Sequence, residues 1–393
     1  MPAYDFEDRW SRYLGALTEA GRRRRLRPAQ RAAEGQVEYG QGPLVDFSSN
    51  DYLGLSRHPL LISRARDYAQ EWGAGTRASR LVTGNIAPFS MIEAKIAAGK
   101  ASEAALVFVS GFQANATILP ALLDRRALGA EPLVFCDKLN HASLIQGCQA
   151  AGVKQIRFRH NDLGHLDQLL AQHSRDDRPS FIVTETVFSM DGDCADVTGL
   201  TRLADKYQAF LYLDEAHATG VLGPDGFGLA KGSNRSLVMG TFSKALGGFG
   251  AYAACSAALR DFLVNRCAGL IYATALPPAV LGAMDAALDL IPQLDSQRRH
   301  LAKIAGDFRA ALQAAGRDTG SSTTQIVPLI LGPEQRALDL AKALEAEGLL
   351  AIAIRPPTVP AGQSRIRFTF CANHSDQQVD QLTQAVQRLA GPP

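Results

Sequence analysis

The chain is 393 residues long, 46% hydrophobic and 20% charged, with a net charge of +2 at pH 7. That length suggests two or three domain-sized units with a large core, and that balance belongs to a globular protein. The near-neutral charge leaves no global field aimed at nucleic acid or an anionic membrane.

The N-terminus, Met1-Pro-Ala-Tyr-Asp-Phe-Glu-Asp, is acidic and lacks the apolar core of a signal peptide. Residues 5–34 read as helical, with Phe6, Trp10, Tyr13, Leu14 and Leu17 on one stripe. The arginine run from Arg22 to Arg25, with Arg27, admits three readings: a nucleic-acid patch, a solvated helix face, or one guanidinium reaching a carboxylate. Leu44-Val-Asp-Phe reads as a short strand, followed by the turn-rich Ser48-Ser-Asn-Asp-Tyr-Leu-Gly. Residues 60–72 are helical. Gly73-Ala-Gly-Thr-Arg-Ala has the spacing of a dinucleotide loop, but it follows a helix rather than a strand, so that reading fails its context.

From residue 104 apolar runs recur at Ala104–Val109, Leu133–Phe135, Phe181–Val183, Ala209–Leu213, Leu237–Met239 and Ala251–Ala254. Helical patterns such as Leu166–Ala171 and Leu200–Tyr207 fill most gaps. Short apolar strands alternating with helices predict a mostly parallel sheet covered on both faces. Each run ends in polar or small residues, and ligands of α/β proteins bind at the carboxyl ends of such strands. The most apolar stretch, Leu270 to Met284, is broken by Thr274, Pro277 and Pro278 and is too short to span a bilayer. The six cysteines (136, 148, 194, 255, 267 and 371) show no C-x-x-C spacing, as expected of reduced thiols in a cytoplasmic protein.

After about residue 285 the rhythm changes. Leu294, Leu301, Ile304, Phe308 and Leu312 mark a long amphipathic helix. A strand near Gln325–Leu331, a helix near Pro333–Glu347 and a strand near Leu350–Ile354 follow. In 365–370, Ile366, Phe368 and Phe370 alternate with Arg365, Arg367 and Thr369. Ser375 and Gln378 form a capping box opening a last helix. The expected division is an N-terminal helical segment (1–45), a large domain (46–285) and a smaller α+β domain (286–393).

The chemistry converges on Thr241-Phe242-Ser243-Lys244-Ala245-Leu246-Gly247-Gly248. A lysine in an enclosed strand-end turn is a candidate Schiff-base nucleophile. Flanking hydroxyls and glycines leave room for a phosphate and a flat ring. One strand earlier, Asp214-Glu-Ala-His217 closes the run Phe210–Leu213. The same four letters occur in helicases, but that reading needs a phosphate loop, and the nearest candidate, Gly99-Lys100, lacks the first glycine and the hydroxyl after the lysine. An aspartate and a lysine at neighbouring strand ends suit pyridoxal 5′-phosphate (PLP): the lysine holds the aldehyde and the aspartate keeps the ring nitrogen protonated. His141 ends another strand, and His217 lies three residues after Asp214.

Taken together, Ser49-Asn-Asp-Tyr-Leu-Gly, Ser110-Gly-Phe-Gln-Ala-Asn, Asn140-His-Ala-Ser, Glu185-Thr-Val-Phe-Ser-Met-Asp-Gly-Asp, Asp214-Glu-Ala-His-Ala-Thr-Gly and Thr241-Phe-Ser-Lys-Ala resemble the α-oxoamine synthases. The resemblance runs in order from about residue 45 to 375. It implies the PLP-dependent transferase fold type I, aspartate-aminotransferase-like, and a cytoplasmic homodimer with active sites at the subunit interface. It gives Lys244 the roles of PLP anchor and base, Asp214 the ring nitrogen, and His141 the ring face. His217 and Ser189 go to the ring-oxygen side. Gly111, Phe112 and Thr241 hold the phosphate, reached also by Thr274 from the partner subunit. Asn50 and Arg367 take the amino-acid carboxylate, and Arg24 and Thr358 face the acyl substrate.

Ala353-Ile-Arg-Pro-Pro-Thr-Val-Pro-Ala-Gly with Arg365-Ile-Arg resembles the branch that joins L-alanine to a pimeloyl thioester, of CoA or of acyl carrier protein, with loss of CO2. No nucleic acid, membrane or metal is expected. Two positions depart from the family pattern: Phe89 stands where a histidine is usual, and Arg77 where a small residue is usual. Both are expected near the acyl chain.

Overall fold

The structure, a computed structural model, describes residues 5–391 apart from 30, 34 and 41. Residues 1–4 of the acidic N-terminus, and residues 30 and 34 of the stretch expected to be helical, therefore lie outside the described part. The chain divides into two compact units. The larger holds Asn50–Ser189 and Asp193–Leu301. The smaller holds the N-terminal residues to Ser49, the short piece Met190–Gly192, and the residues from Ala302 onward. The N-terminal residues thus group with the C-terminal ones instead of standing as a separate segment. Strand Pro43–Asp46 pairs in parallel with Leu349–Leu350, which ties the two ends of the chain together.

The larger unit is built on a seven-stranded sheet. Across it the order is Ala104–Phe108, Ala251–Cys255, Ser236–Thr241, Phe210–Asp214, Ser180–Glu185, Leu133–Asp137 and Gln155–Phe158. Only Ala251–Cys255 runs against its neighbours; the remaining pairs are parallel. The six expected strands are all present. The seventh, Gln155–Phe158, is an edge strand with an exposed Arg157 and only Phe158 buried, so it carries no apolar run to be read from sequence.

Alternate residues of the central strands feed two cores, the pattern of a sheet buried on both faces. Val134, Val183, Tyr212, Leu237 and Met239 pack with Ala114, Ile118 and Leu144 of the helices Gly111–Leu122 and Ala142–Ala150. Leu133, Phe135, Ile182, Leu211, Leu213 and Val238 pack with Leu166, Leu170, Leu200 and Leu203 on the other side. The alternation sets where the strand ends point. Glu185, Asp214 and Thr241 continue the series of Val183, Tyr212 and Met239, so they fall on the face covered by Gly111–Leu122.

In the smaller unit, Ile326–Gly332, Ser364–Thr369 and Ala353–Ile354 form an antiparallel sheet. The strand expected over Leu350–Ile354 is two short pieces, Leu349–Leu350 and Ala353–Ile354, in different sheets. Phe308 of helix Asp295–Ala314 packs on Phe368 and Phe370, with ring centroids 5.0 and 5.2 Å away. Helix Asp376–Leu389 opens with the capping box of Ser375 and Gln378. The helix expected over 5–34 is a correction: it spans Phe6–Glu19 only and is followed by Gly21 in a left-handed conformation, which a helix cannot propagate through. Its apolar stripe, Phe6, Trp10, Tyr13 and Leu14, is exposed.

Candidate active site

Lys244 sits in the turn after strand Ser236–Thr241, half-buried. Its Nζ lies 2.8 Å from Nε2 of the buried His217. Nδ1 of the same ring lies 2.7 Å from the hydroxyl of Tyr52, and that hydroxyl donates to Oδ1 of Asn50 at 2.9 Å. An ammonium has only donors. Nε2 therefore accepts, the ring proton sits on Nδ1 and donates to Tyr52, and the chain of bonds has one direction from Lys244 to Asn50.

Asp214, on the neighbouring strand, is buried and fully oriented. Oδ1 accepts from the Ala216 N–H at 2.8 Å and Oδ2 from Nδ2 of Asn115 at 2.7 Å. The Asn115 amide also donates to Ser143 Oγ at 2.9 Å, and its Oδ1 accepts from the Tyr212 hydroxyl at 2.7 Å. Burial, with Asp214 adding, pushes the Tyr212 hydroxyl well above its ordinary pKa, so it remains a donor. Ser143 Oγ in turn lies 2.7 Å from Nδ1 of His141. His141 keeps an open face. Desolvation by the surrounding loops outweighs the pull of Asp214 and, with Lys244 opposing charge on the ring, holds its pKa below that of free imidazole. The His141 N–H donates to Oε1 of Glu185 at 2.6 Å. Glu185 is the register partner of Asp214, and burial followed by the Asp214 charge pushes its carboxyl well above the usual range.

At the next edge position, Ser110 caps helix Gly111–Leu122 by accepting from the Gln113 N–H. The first N–H groups of a helix have no partner inside it and favour anions, and here they belong to Gly111 and Phe112. Thr241 faces this turn: a Cβ placed on Gly111 would lie 3.9 Å from Thr241 Cβ. Thr241 Oγ1 donates to the Gly250 carbonyl at 2.9 Å and lies 2.7 Å from Ser243 Oγ. Gly247, the first glycine after Lys244, has a different reason from the one expected. Gly247 has φ +65°, and a Cβ there would come within 2.3 Å of the Leu55 carbonyl carbon. It is required by backbone packing, not by space for a ring.

Within the smaller unit the arginine run separates by partner. Arg22 pairs with Glu334 at 2.6 Å and Arg27 with Glu345 at 2.7 Å. Arg24 donates to the Thr358 hydroxyl at 3.4 Å, which brings together the two residues expected to face the acyl substrate. Arg365 is paired with Asp191 at 2.6 Å. Arg367 lies two residues on in the same strand, with 7% of its surface exposed. The expected polar face of this strand is thus as buried as the apolar one.

The sequence profile of aminotransferase class I and II matches residues 42–386. A protein of Paramagnetospirillum magneticum named putative 8-amino-7-oxononanoate synthase is 58% identical over 380 residues, 97% of each chain. The 8-amino-7-oxononanoate synthase of Gluconacetobacter diazotrophicus is 58% identical over 381 residues, 95% of this chain and 96% of that one. This chain belongs to the 8-amino-7-oxononanoate synthase family. Among solved structures, a variant serine palmitoyltransferase from S. paucimobilis with a bound PLP–myriocin aldimine superposes with a TM-score of 0.90, at 25% identity over 99% of this chain and 98% of that one. The fold is therefore the PLP-dependent fold type I, and PLP is the cofactor of the family.

The side chains of this synthase-family site fit that cofactor. Lys244 offers an amine for the aldehyde, Asp214 a fixed buried carboxylate for a protonated ring nitrogen, and the turn at Gly111 unpaired N–H donors for the phosphate. Sequence reasoning missed Tyr52 and Asn115 as partners of the site, although both lie inside quoted motifs. The signal for Asn115 was its place one turn into the helix covering the Asp214 face.

Two further positions bear on the family pattern. Phe89 is 1% exposed, with the Arg80 guanidinium 4.3 Å above its ring. Arg80 is itself paired with Glu93. The departing residue is thus part of a packed core contact. Phe89 also lines a small crevice with Phe108, Thr274 and Leu276. Thr274 is exposed and bridges in extended conformation to Ser79, while Arg77 is exposed with φ +67°.

Proposed function

We propose that this protein is an 8-amino-7-oxononanoate synthase, condensing L-alanine with a pimeloyl thioester to give 8-amino-7-oxononanoate, CO2 and free thiol in biotin synthesis. The observation that carries the proposal is the pairing of Lys244–His217 with Asn115–Asp214 on adjacent strand ends, in a chain 58% identical to proteins of that name.

When bound, PLP supplies an electron-accepting ring that takes up the pair left on an amino acid's Cα. Asp214, fixed by Asn115 and the Ala216 N–H, keeps a proton on the ring nitrogen. His141 covers one ring face. His217 and Ser189 serve the ring-oxygen side, and Gly111, Phe112 and Thr241 the phosphate. Lys244 removes the Cα proton and later returns one; His217, whose Nε2 faces the amine, holds it in line for that transfer. A C–C bond forms between the alanine Cα and the thioester carbonyl. The C–S bond breaks and the sulfur leaves as thiol. The alanine carboxylate leaves as CO2, and Cα is reprotonated.

On the family resemblance we assign the alanine carboxylate to Asn50 and Arg367, and the acyl substrate to Arg24 and Thr358. Arg24 is favoured over Arg22 and Arg27, which are committed to Glu334 and Glu345, and it donates to Thr358. We assign Thr274 to the phosphate of a second subunit in a cytoplasmic homodimer; its exposure supports that role. The carrier is CoA or acyl carrier protein.

The test is an assay of PLP-loaded enzyme with pimeloyl-CoA or pimeloyl-acyl carrier protein and each of alanine, glycine and serine. Alanine is expected to release CO2 and thiol in equal amounts with a product of the mass of 8-amino-7-oxononanoate. Preference for glycine or serine would move the chain to a sister synthase, and formation of a keto acid without CO2 would make it an aminotransferase.

A further inference from the structure

A histidine that the reaction does not use stands between two carboxylates. His160 Nδ1 lies 3.0 Å from Asp137 Oδ1, and Nε2 lies 2.9 Å from Asp193 Oδ2; carboxylate oxygens accept, so both ring nitrogens donate. An imidazole that donates from both nitrogens is an imidazolium. Asn161, next in the chain and at φ +49°, reaches the same two acids: its N–H donates to Asp137 Oδ2 at 2.9 Å and its side-chain amide to Asp193 Oδ2 at 2.7 Å.

Each acid roots a loop that carries a candidate site residue. Asp137 lies four residues before His141. It ends strand Leu133–Asp137 and accepts from the Leu139 N–H at 2.8 Å, shaping the turn that leads to His141. Asp193 lies four residues after Ser189. Its carbonyl accepts from the Phe188 N–H at 3.1 Å, beside the bridge of Val187 with Cys194 that closes the Ser189 turn. The His160 ring stands edge-on to Phe188, with centroids 4.4 Å apart at 88°. His160 and its two acids thus join both loops.

We propose that His160 is a positioning residue: as an imidazolium clip between Asp137 and Asp193, it fixes the loops that present His141 and Ser189 to the bound cofactor. The inference rests on the reading of the site given above. Burial alone would lower the pKa of His160, but the bonds to Asp137 and Asp193 outweigh it and push it up to about 10. A charged hydrogen bond is stronger than a neutral one, so the clip is tightest in this state.

The direct test is nitrogen-15 NMR of histidine-labelled, PLP-loaded enzyme, with the His160 signals assigned by their loss in His160→Gln. Both ring nitrogens are expected to stay protonated from pH 6 to about pH 9. A ring neutral at pH 8 overturns the proposal. The second test is Asp193→Asn, which keeps shape and removes one charge. We expect kcat to fall about tenfold, KM for alanine to change by less than about threefold, and the visible band of the bound cofactor to shift. A folded Asp193→Asn enzyme with wild-type kcat and wild-type cofactor absorbance overturns the proposal. The NMR reading needs no turnover, so failure of the clip is distinguishable from failure of the synthase reading, which would appear as wild-type enzyme making no product.

Discussion

Lys244 Nζ lies 2.8 Å from His217 Nε2, and this contact fixes the proton pattern of four residues. With the amine as donor, His217 carries its proton on Nδ1 and passes a bond to Tyr52, which passes one to Asn50 at 2.9 Å. The amine proposed as the base is thus backed by a directed hydrogen-bond chain. Tyr52 is fully buried, so bulk water does not compete for its hydroxyl.

Replacing Lys244 with alanine is expected to abolish turnover, by at least about a thousandfold, because the proposed cofactor anchor and base are lost together. The residue is only half-buried, so the variant should fold. Borohydride reduction followed by intact-mass analysis checks this: wild type gains the mass of one PLP and the variant gains none. Turnover within tenfold of wild type would sink the assignment.

Tyr52→Phe removes the hydroxyl that accepts from the His217 Nδ1–H in a buried place. Such a loss costs about 1–3 kcal/mol. We expect the stability measured by urea unfolding to fall by about that amount, and kcat to fall about tenfold because the ring is free to turn or change tautomer. A Tyr52→Phe enzyme unchanged in both measurements would show that the chain does not orient His217.

Asn115→Ala should weaken cofactor retention more than it weakens the fold. The variant removes one of the two donors fixing the Asp214 carboxylate, and hydrogen bonds to charged groups are worth about 1.5–3 kcal/mol. The expected outcome is a rise in the PLP dissociation constant of about ten- to a hundredfold, read by equilibrium dialysis. Unchanged PLP affinity would place Asn115 outside the site.

The strands were legible because each is a short apolar run, and Lys244, Asp214 and His217 were legible because they follow such runs directly. What supports them was not. Asn115 is 99 residues from Asp214, Tyr52 is 165 from His217, and Lys100 is 115 from Glu215; one sequence shows no pairing across such gaps. Alternation put Arg365 and Arg367 on one face without saying that Arg365 is held by Asp191. The helical stripe of Phe6 to Leu17 was real, but its far end had to be read from Gly21, whose left-handed backbone no periodicity reveals. Edge strand Gln155–Phe158 escaped because it is half polar.

The glutamate of Asp214-Glu-Ala-His217 has a structural task. Glu215 and Lys100 form an ion pair with neither side chain exposed to solvent. Glu215 Oε1 also accepts from the N–H groups of Leu229 and Ala230 at 2.7 and 2.9 Å, and Lys100 donates to the Phe227 carbonyl at 2.6 Å. Burial lowers the pKa of Lys100 and Glu215 opposes this. Lys100→Met leaves an uncompensated carboxylate in the interior, at a cost of about 3–5 kcal/mol. Lys100→Met with Glu215→Gln should cost less than the sum of the single changes, measured as a double-mutant cycle in urea. Strict additivity would show that the pair is not coupled.

Stability above neutral pH is expected to report the His160 clip. Free histidine titrates near 6.5, while His160 in the fold is pushed up to about 10 by Asp137 and Asp193 against the effect of burial. Between those values the native chain holds a proton that the unfolded chain has lost. Stability from this group is therefore complete below about pH 6.5, declines as the pH rises, and is gone once the pH passes the native value of about 10. On the acid side, burial raises the Asp193 pKa but His160 outweighs it and holds it low, so that contribution is present above the ordinary aspartate range and is lost as the pH falls. Thermal melts at pH 6.5, 8 and 9.5 should show wild type losing midpoint more steeply than His160→Gln, which has no ring to titrate, so that the two curves converge toward high pH. Parallel curves would mean that His160 gains no proton on folding, and the imidazolium assignment would fall with them.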